Sequence, residues 1–418
     1  MKHYTWGLFI LLAIAPLEDL LRFESFISIQ KLMGFVVIGS WLLHKLLRRA
    51  PAHKPPTSFV FAWLLLIVFN MLMGVLQAPS KSSVLFVLNR IGYLLIIILT
   101  IEGLCSLRRI QVATYCVVVS SFVVSALSIT QMISGSTSFL TYNRPELITR
   151  WKGGPLRILG VGGDQNSTGT MLPVLIMVTL GVVITSRKRF WRIGAFVSAT
   201  LSLFALFITY SRSGYLGLLG ALTVFVILVP RSRRVLGALI ALIVLLVIFS
   251  PFIAQIVSNV IPNLYAVIKS DDYSRVTHIE QYPAAVQIIL ENPFGVGLGA
   301  EISKTATENW WRTGSYGIIH NTFLEEAATS SILSMIALIF IIYGYFRYLW
   351  TSFQSCTNPI GRATLASFMA AVAAMQISWL FVSSSNRLFF WLVAAVGMAG
   401  AKVMQQVADS QPTEEPVG

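Results

Sequence analysis

The run from His320 to Glu325 places a histidine and a carboxylate at the start of a strongly apolar stretch that continues to Tyr345. Histidine is the side chain best suited to moving protons near neutral pH, and a neighbouring carboxylate can orient the imidazole and stabilise the imidazolium. The pattern favours a general base at a membrane surface. In the alternative interpretation, Asn321 or Thr322 caps a helix and His320 merely precedes it.

Two arginines have the chemistry to hold an anion. Arg212 lies in a Ser-Arg-Ser-Gly turn between two apolar runs, and Arg275 opens a later segment in which His278 follows one turn on. Guanidinium grips phosphate through paired hydrogen bonds. The alternative for Arg212 is snorkelling to lipid headgroups. For Arg275 it is an ordinary surface position, and for His278 a satisfied polar contact.

A further basic group is more typical of a solvated or headgroup-facing set: Arg144, Arg150, Lys152 and Arg157. We keep Arg157, Glu325, Asn321 and His278 as supporting candidates beside His320, Arg212 and Arg275.

Composition decides the class of protein that must position these residues. Of 418 residues, 56% are hydrophobic and 11% charged, whereas soluble proteins carry about 25% charged residues. The net charge of +14 lies mostly in short clusters between apolar segments, which argues against nucleic acid as a partner. The chain is predicted to be an all-α polytopic membrane protein that contacts membrane lipids.

About twelve apolar stretches are long enough to cross a bilayer, within one integral membrane domain over 1–418. The predicted spans are 4–21, 28–47, 58–77, 83–105, 111–134, 167–186, 193–210, 213–230, 235–253, 322–346, 362–382 and 387–405.

Alternate loops are rich in Lys and Arg, which predicts cytoplasmic N- and C-termini. The basic loops contain Lys45, Arg48, Arg49 and Lys54; Arg108 and Arg109; Arg187, Lys188, Arg189 and Arg192; Arg231, Arg233 and Arg234; and Arg347 and Arg362. The polar segment 407–418 is predicted to be a disordered cytoplasmic tail.

The loop at 254–321 lies on the opposite side and is long enough to be structured and functional. It is predicted to hold an interfacial helix from Ile253 to Ile268 and an amphipathic helix from Tyr273 to Leu290. A proline and three glycines between Asn292 and Gly299 then break the helix.

Soluble-enzyme motifs are missing from the sequence. It contains no P-loop, no GxGxxG after a strand, and no HExxH or CxxC pair. The three cysteines, Cys105, Cys116 and Cys356, form neither a disulfide framework nor a metal-ligand spacing. We therefore expect neither a cofactor nor a metal.

The ordered set of motifs resembles the bacterial O-antigen ligase and polymerase superfamily. The set comprises the segment 160–166, the Ser-Arg-Ser-Gly turn at 211–214, the Arg-led helix ending in Asn-Pro-Phe-Gly-Val-Gly at 275–297, and the His-Asn-Thr-Phe-Leu-Glu run at 320–325. Each motif is weak alone; their order, spacing and common side of the membrane make the resemblance specific.

The resemblance implies a GT-C-like fold in the bacterial inner membrane with a periplasmic active site. Such enzymes take a glycan from undecaprenyl pyrophosphate, and the ligases attach it to the lipid A–core oligosaccharide of lipopolysaccharide. Carried over by motif, Arg212 and Arg275 would hold the pyrophosphate and His320 would activate the acceptor hydroxyl. The reaction would invert the anomeric carbon without a metal.

Three other activities stay open. An O-antigen polymerase would join repeat units, and a protein O-oligosaccharyltransferase would use a protein acceptor. A transporter or flippase of lipid-linked glycan also fits twelve spans. Transporters usually show repeat symmetry and charged or broken helices at the midplane, however, whereas here the polar residues gather on one side.

Overall fold

The protein is described by a computed structural model over most of its length. The described residues are 3–18, 20–21, 28–47, 55–77, 79–134, 160–161, 165–209, 211–229, 272–298 and 319–409. Within them the regular structure is helical, with no β-strand, so the predicted all-α fold is confirmed.

Thirteen α-helices are defined in these ranges. They are α1 His3–Ile14, α2 Ile29–Leu47, α3 Thr57–Gln77, α4 Lys81–Gly103, α5 Leu107–Ser134, α6 Gln165–Thr185, α7 Arg189–Thr209, α8 Arg212–Leu228, α9 Asp272–Glu291, α10 Thr322–Thr329, α11 Ile332–Ser355, α12 Pro359–Trp379 and α13 Leu388–Asp409.

Seven helices of the described part are long and apolar enough to cross a membrane: α4, α5, α6, α7, α11, α12 and α13. Shorter apolar helices lie at Tyr4–Leu17, Thr57–Met73 and Arg212–Leu228. The chain is a multi-pass membrane protein. The span predicted at 235–253 lies outside the described residues.

One predicted span is wrong. Residues 322–346 do not form a single helix: α10 ends at Thr329, and α11 begins at Ile332 and continues to Ser355. Ser331 starts the second helix, since its hydroxyl accepts a hydrogen bond from the Ser334 amide at 3.1 Å. The histidine motif is therefore attached to a short helix that precedes a membrane span, and is not part of that span.

The core of the bundle contains helices that approach closely through small residues. At Gly217 of α8, a Cβ would lie 2.8 Å from the Ala374 carbonyl oxygen of α12. Glycine therefore permits the contact, as small residues commonly do between membrane helices. Three buried tryptophans extend the core: the Trp391 ring centroid lies 4.6 Å from that of Trp63 and 5.7 Å from that of Trp379. These contacts fix α12 among α3, α8 and α13.

The long loop is described in part. Helix α9 covers the predicted amphipathic helix, and the chain leaves regular helix after Glu291, where the break was predicted. The predicted helix from Ile253 to Ile268 lies outside the described residues. At the C-terminus, α13 continues to Asp409, so the predicted tail begins no earlier than residue 410; 410–418 also lie outside the described part.

Candidate functional site

Asn321 begins the helix of the histidine motif. Its side-chain oxygen accepts hydrogen bonds from the Phe323 amide at 2.9 Å and the Leu324 amide at 3.0 Å, so it is the N-cap of α10. Capping satisfies first-turn N–H groups that have no partner in the helix. His320 is half-buried and immediately precedes this cap. The backbone position of the histidine is therefore fixed by the start of α10.

The loop between α12 and α13, residues 380–387, forms hydrogen bonds with the histidine motif. The Leu380 carbonyl oxygen accepts from the Asn321 side-chain amide at 3.1 Å and from the Tyr282 hydroxyl of α9 at 2.9 Å. The Thr322 hydroxyl donates to the Val382 carbonyl oxygen at 2.7 Å. One loop thus holds both α9 and the start of α10. No sequence motif marks this loop, which shows only a run of serines.

The glycine-rich segment 292–298 closes onto the other end of α10. The amides of Val296 and Gly297 donate to the carbonyl oxygens of Ala328 and Thr329, at 2.9 and 3.0 Å. Gly295 has φ +81, and a Cβ there would lie 2.7 Å from the Thr329 carbonyl oxygen. Glycine is required at this position by both conformation and space. The Asn-Pro-Phe-Gly-Val-Gly motif and the histidine motif are therefore neighbours.

Arg212 is the first residue of α8 and its side chain is exposed. Ser211 caps the helix by accepting from the Gly214 amide at 3.3 Å, and the Ser378 hydroxyl of α12 donates to the Ser213 carbonyl oxygen at 3.1 Å. The serines are buried while the arginine between them faces outward. Helix N-termini favour anions, so the guanidinium and the N-terminus of α8 both attract negative charge.

The end of α12 connects Arg212 with His320. Ser378 contacts the start of α8, and the next residue, Trp379, packs its ring 6.5 Å from that of Phe323 in α10. Leu380 then bonds to Asn321. Three consecutive residues therefore bring both motif segments to the same end of the bundle.

Glu325 and Glu326 have different environments. Glu325 is hydrogen-bonded to the Ser383 hydroxyl, and its pKa is raised to about 8, chiefly by burial and then by the Glu326 carboxylate. Glu325 lies in α10, outside the membrane-spanning helices, and is mostly protonated at neutral pH. A carboxyl group that holds its proton stabilises an imidazolium less well than a carboxylate does, and the supporting role of Glu325 stays a prediction.

Glu326 forms the ion pair of α10. One carboxylate oxygen lies 2.9 Å from Nη2 of Arg90, and the other accepts from the Asn70 amide at 2.8 Å. Arg90 is 0% exposed and lies well inside α4. Sequence reasoning passed over it, although an arginine inside an apolar span is a functional candidate by default.

The remaining site candidates stay predictions. Arg275 and His278 lie one turn apart in the backbone of α9, but their side chains are outside what the structure describes, as are Arg144, Arg150, Lys152 and Arg157. Among described residues, no three His, Cys, Asp or Glu side chains are grouped to hold a metal ion.

Comparison with known protein families finds a similarity in one part of the chain. Residues 196–330 match the family model described as O-antigen ligase. That segment includes most of α7 and all of α8, α9 and α10. No curated protein matches the chain. The chain is thus a multi-pass membrane protein whose residues 196–330 are similar to the O-antigen ligase family.

Proposed function

We propose that this protein is an O-antigen ligase, a glycosyltransferase that moves a glycan from undecaprenyl pyrophosphate to the lipid A–core oligosaccharide. The observation that carries the proposal is the meeting of the Arg212 and His320 segments at the end of α12, through Ser378, Trp379 and Leu380. An anion-binding group and a candidate base at one end of a membrane bundle suit a lipid-linked pyrophosphate donor. The family match supports the same class of reaction.

In this mechanism the bond between the anomeric carbon and the pyrophosphate oxygen breaks, and the electron pair leaves with the pyrophosphate. Arg212 and Arg275 hold that group and stabilise its departing negative charge. His320 removes the proton of the acceptor hydroxyl as its oxygen attacks the opposite face of the sugar. The new glycosidic bond has the inverted configuration, and the reaction uses protein side chains without a metal.

The proposed location is the bacterial inner membrane, with the site at the periplasmic end and both termini in the cytoplasm. The Lys45–Glu102 ion pair, at 2.8 Å, supports this topology because it joins the ends of α2 and α4, which both precede basic loops. The start of α4 instead contacts the site end, where the Ser83 hydroxyl donates to the Leu298 carbonyl oxygen at 2.5 Å.

The deciding experiment is transfer in vitro by purified protein in nanodiscs, with undecaprenyl pyrophosphate glycan as donor. Lipid A–core and a non-reducing-end O-antigen repeat are offered as separate acceptors, with and without excess EDTA. Glycan joined to lipid A–core, undiminished by EDTA, is expected. Extension of the repeat alone would make the protein a polymerase. Movement of donor across the bilayer without a new glycosidic bond would make it a transporter.

A further inference from the structure

A buried polar network lies directly behind the histidine motif. Nη2 of Arg90 bonds to Glu326 and to the Ser385 hydroxyl, both at 2.9 Å. Asn70 donates to Glu326 at 2.8 Å and to the Ser334 hydroxyl at 3.3 Å. The network therefore joins α3, α4, α10, the first turn of α11 and the loop between α12 and α13.

Stability alone does not explain this network. Arg90 and Glu326 are 0% and 3% exposed, so both charges have lost their hydration. Apolar residues of similar volume often serve stability as well as a buried pair does. The pairing is also incomplete: among the described residues, Nε and Nη1 of Arg90 and Oδ1 of Asn70 have no hydrogen-bond partner. Such an arrangement is better suited to fixing a geometry than to maximising stability.

The geometry it fixes is that of α10 against the 380–387 loop. Arg90 contacts Glu326 on α10 and Ser385 on the loop with the same nitrogen. One turn further along α4, the Tyr93 hydroxyl donates to the Asn386 carbonyl oxygen at 2.7 Å. Helix α4 thus binds both α10 and the 380–387 loop. The contact between these two elements positions the Asn321 cap.

We propose that Arg90 and Glu326 are positioning residues for the transfer reaction, which set the place of the His320 imidazole through α10 and its cap. This inference rests on the proposed function, because it assigns the pair a role in the same site. Neither residue is required to touch substrate. Misplacing a reacting group by about 1 Å can cost about 10²-fold in rate.

The test replaces the pair by apolar residues of similar size, Arg90→Met with Glu326→Leu. Removing both charges together avoids leaving one of them unpaired. We expect folded protein, a nearly unchanged KM for undecaprenyl pyrophosphate glycan and a kcat about 10²-fold lower. The matched control is Lys45→Met with Glu102→Leu, which removes the ion pair at the opposite end of α4 and should leave kcat unchanged.

A second readout separates positioning from general damage. If the pair acts through His320, adding Arg90→Met and Glu326→Leu to His320→Ala should lower kcat no further. Two results would overturn the proposal. One is a triple variant whose loss of kcat is the product of the losses in His320→Ala and in the double variant; the other is an unchanged kcat in the double variant. If the double variant does not fold, the kcat of Glu326→Gln is measured alone and in combination with His320→Ala. Full activity in Glu326→Gln would also overturn the proposal. A wild-type protein that makes no glycosidic bond would instead refute the proposed function itself.

Discussion

Helix α4 forms one ion pair at Arg90 and another at Glu102, and the two have almost the same length in different surroundings. At the site end the partners are 0% and 3% exposed; at the other end Lys45 is 40% and Glu102 8% exposed. Lys45 also lies 4.4 Å from the Trp41 ring centroid, and the Trp41 indole donates to Glu102. Water can solvate the Lys45–Glu102 pair, whereas the buried Arg90–Glu326 pair is surrounded by protein groups.

This difference indicates which end of the bundle must keep a fixed geometry. A pair with access to water tolerates small shifts, because solvent compensates for a lengthened contact. A fully buried pair does not, so the elements it joins must keep one arrangement. In this protein the rigid end is also the end where the Arg212 and His320 motifs meet.

The largest expected effect is loss of the proposed base. His320→Ala should lower transfer by about 10²–10⁴-fold, since it removes the proposed proton transfer, while the two arginines proposed to bind the donor remain. The wild-type rate should fall at low pH as the imidazole becomes protonated. Glycan transfer and binding of undecaprenyl pyrophosphate are measured together, with His278→Ala as control. Normal turnover in His320→Ala, with loss in His278→Ala, would assign the base to the other histidine.

Breaking one partner of each ion pair tests the comparison directly. Arg90→Ala leaves the Glu326 carboxylate buried without its cation and should destabilise the protein by about 3–5 kcal/mol. Lys45→Ala leaves Glu102 with the Trp41 indole and access to water, and should cost about 0–1 kcal/mol. Denaturant titration in detergent gives both free energies of unfolding. Equal losses would show that burial does not separate the two ends as argued.

Much of the fold could be predicted from the sequence, because apolar runs of membrane length identify spans regardless of their neighbours. The break after Thr329 could not. It depends on the amides of Val296 and Gly297, which bond to the last carbonyl groups of α10 from a distant segment. Arg90 was missed for a related reason: an apolar window tolerates one charge, and the partner at Glu326 lies 236 residues away.

Local structure at two of the candidate residues could be predicted from the sequence. Asn321 as a cap and Arg212 at a helix start follow from residue type and position. The different surroundings of Glu325 and Glu326 do not, because each is set by residues distant in the sequence: Ser383 for the first, Arg90 and Asn70 for the second.

A smaller effect should come from changing the shape of the proposed anion-binding group, the Arg212 guanidinium. Arg212→Lys keeps the charge and loses the planar fork, so donor affinity should fall by about 10-fold or more, equivalent to a charged hydrogen bond of about 1.5–3 kcal/mol. Arg189→Lys is the matched control, since Arg189 is also exposed and begins α7 at the opposite end of the bundle. Full donor affinity in Arg212→Lys would favour headgroup snorkelling for Arg212.

The smallest expected effect compares a glycine at each end. Gly295→Ala forces an L side chain into φ +81 and places its Cβ 2.7 Å from the Thr329 carbonyl oxygen, so the 292–298 segment must move away from α10. We expect a loss of about 1–2 kcal/mol in the free energy of unfolding, with reduced transfer, because α10 loses the contact at its C-terminal end. At Gly194 in α7, an added Cβ would meet no atom of the described residues within 4 Å, and Gly194→Ala should stabilise by about 0.5–1 kcal/mol. If Gly295→Ala leaves both stability and transfer intact, the glycine segment is not what holds α10, and its contacts with Arg90 and with the 380–387 loop hold it instead.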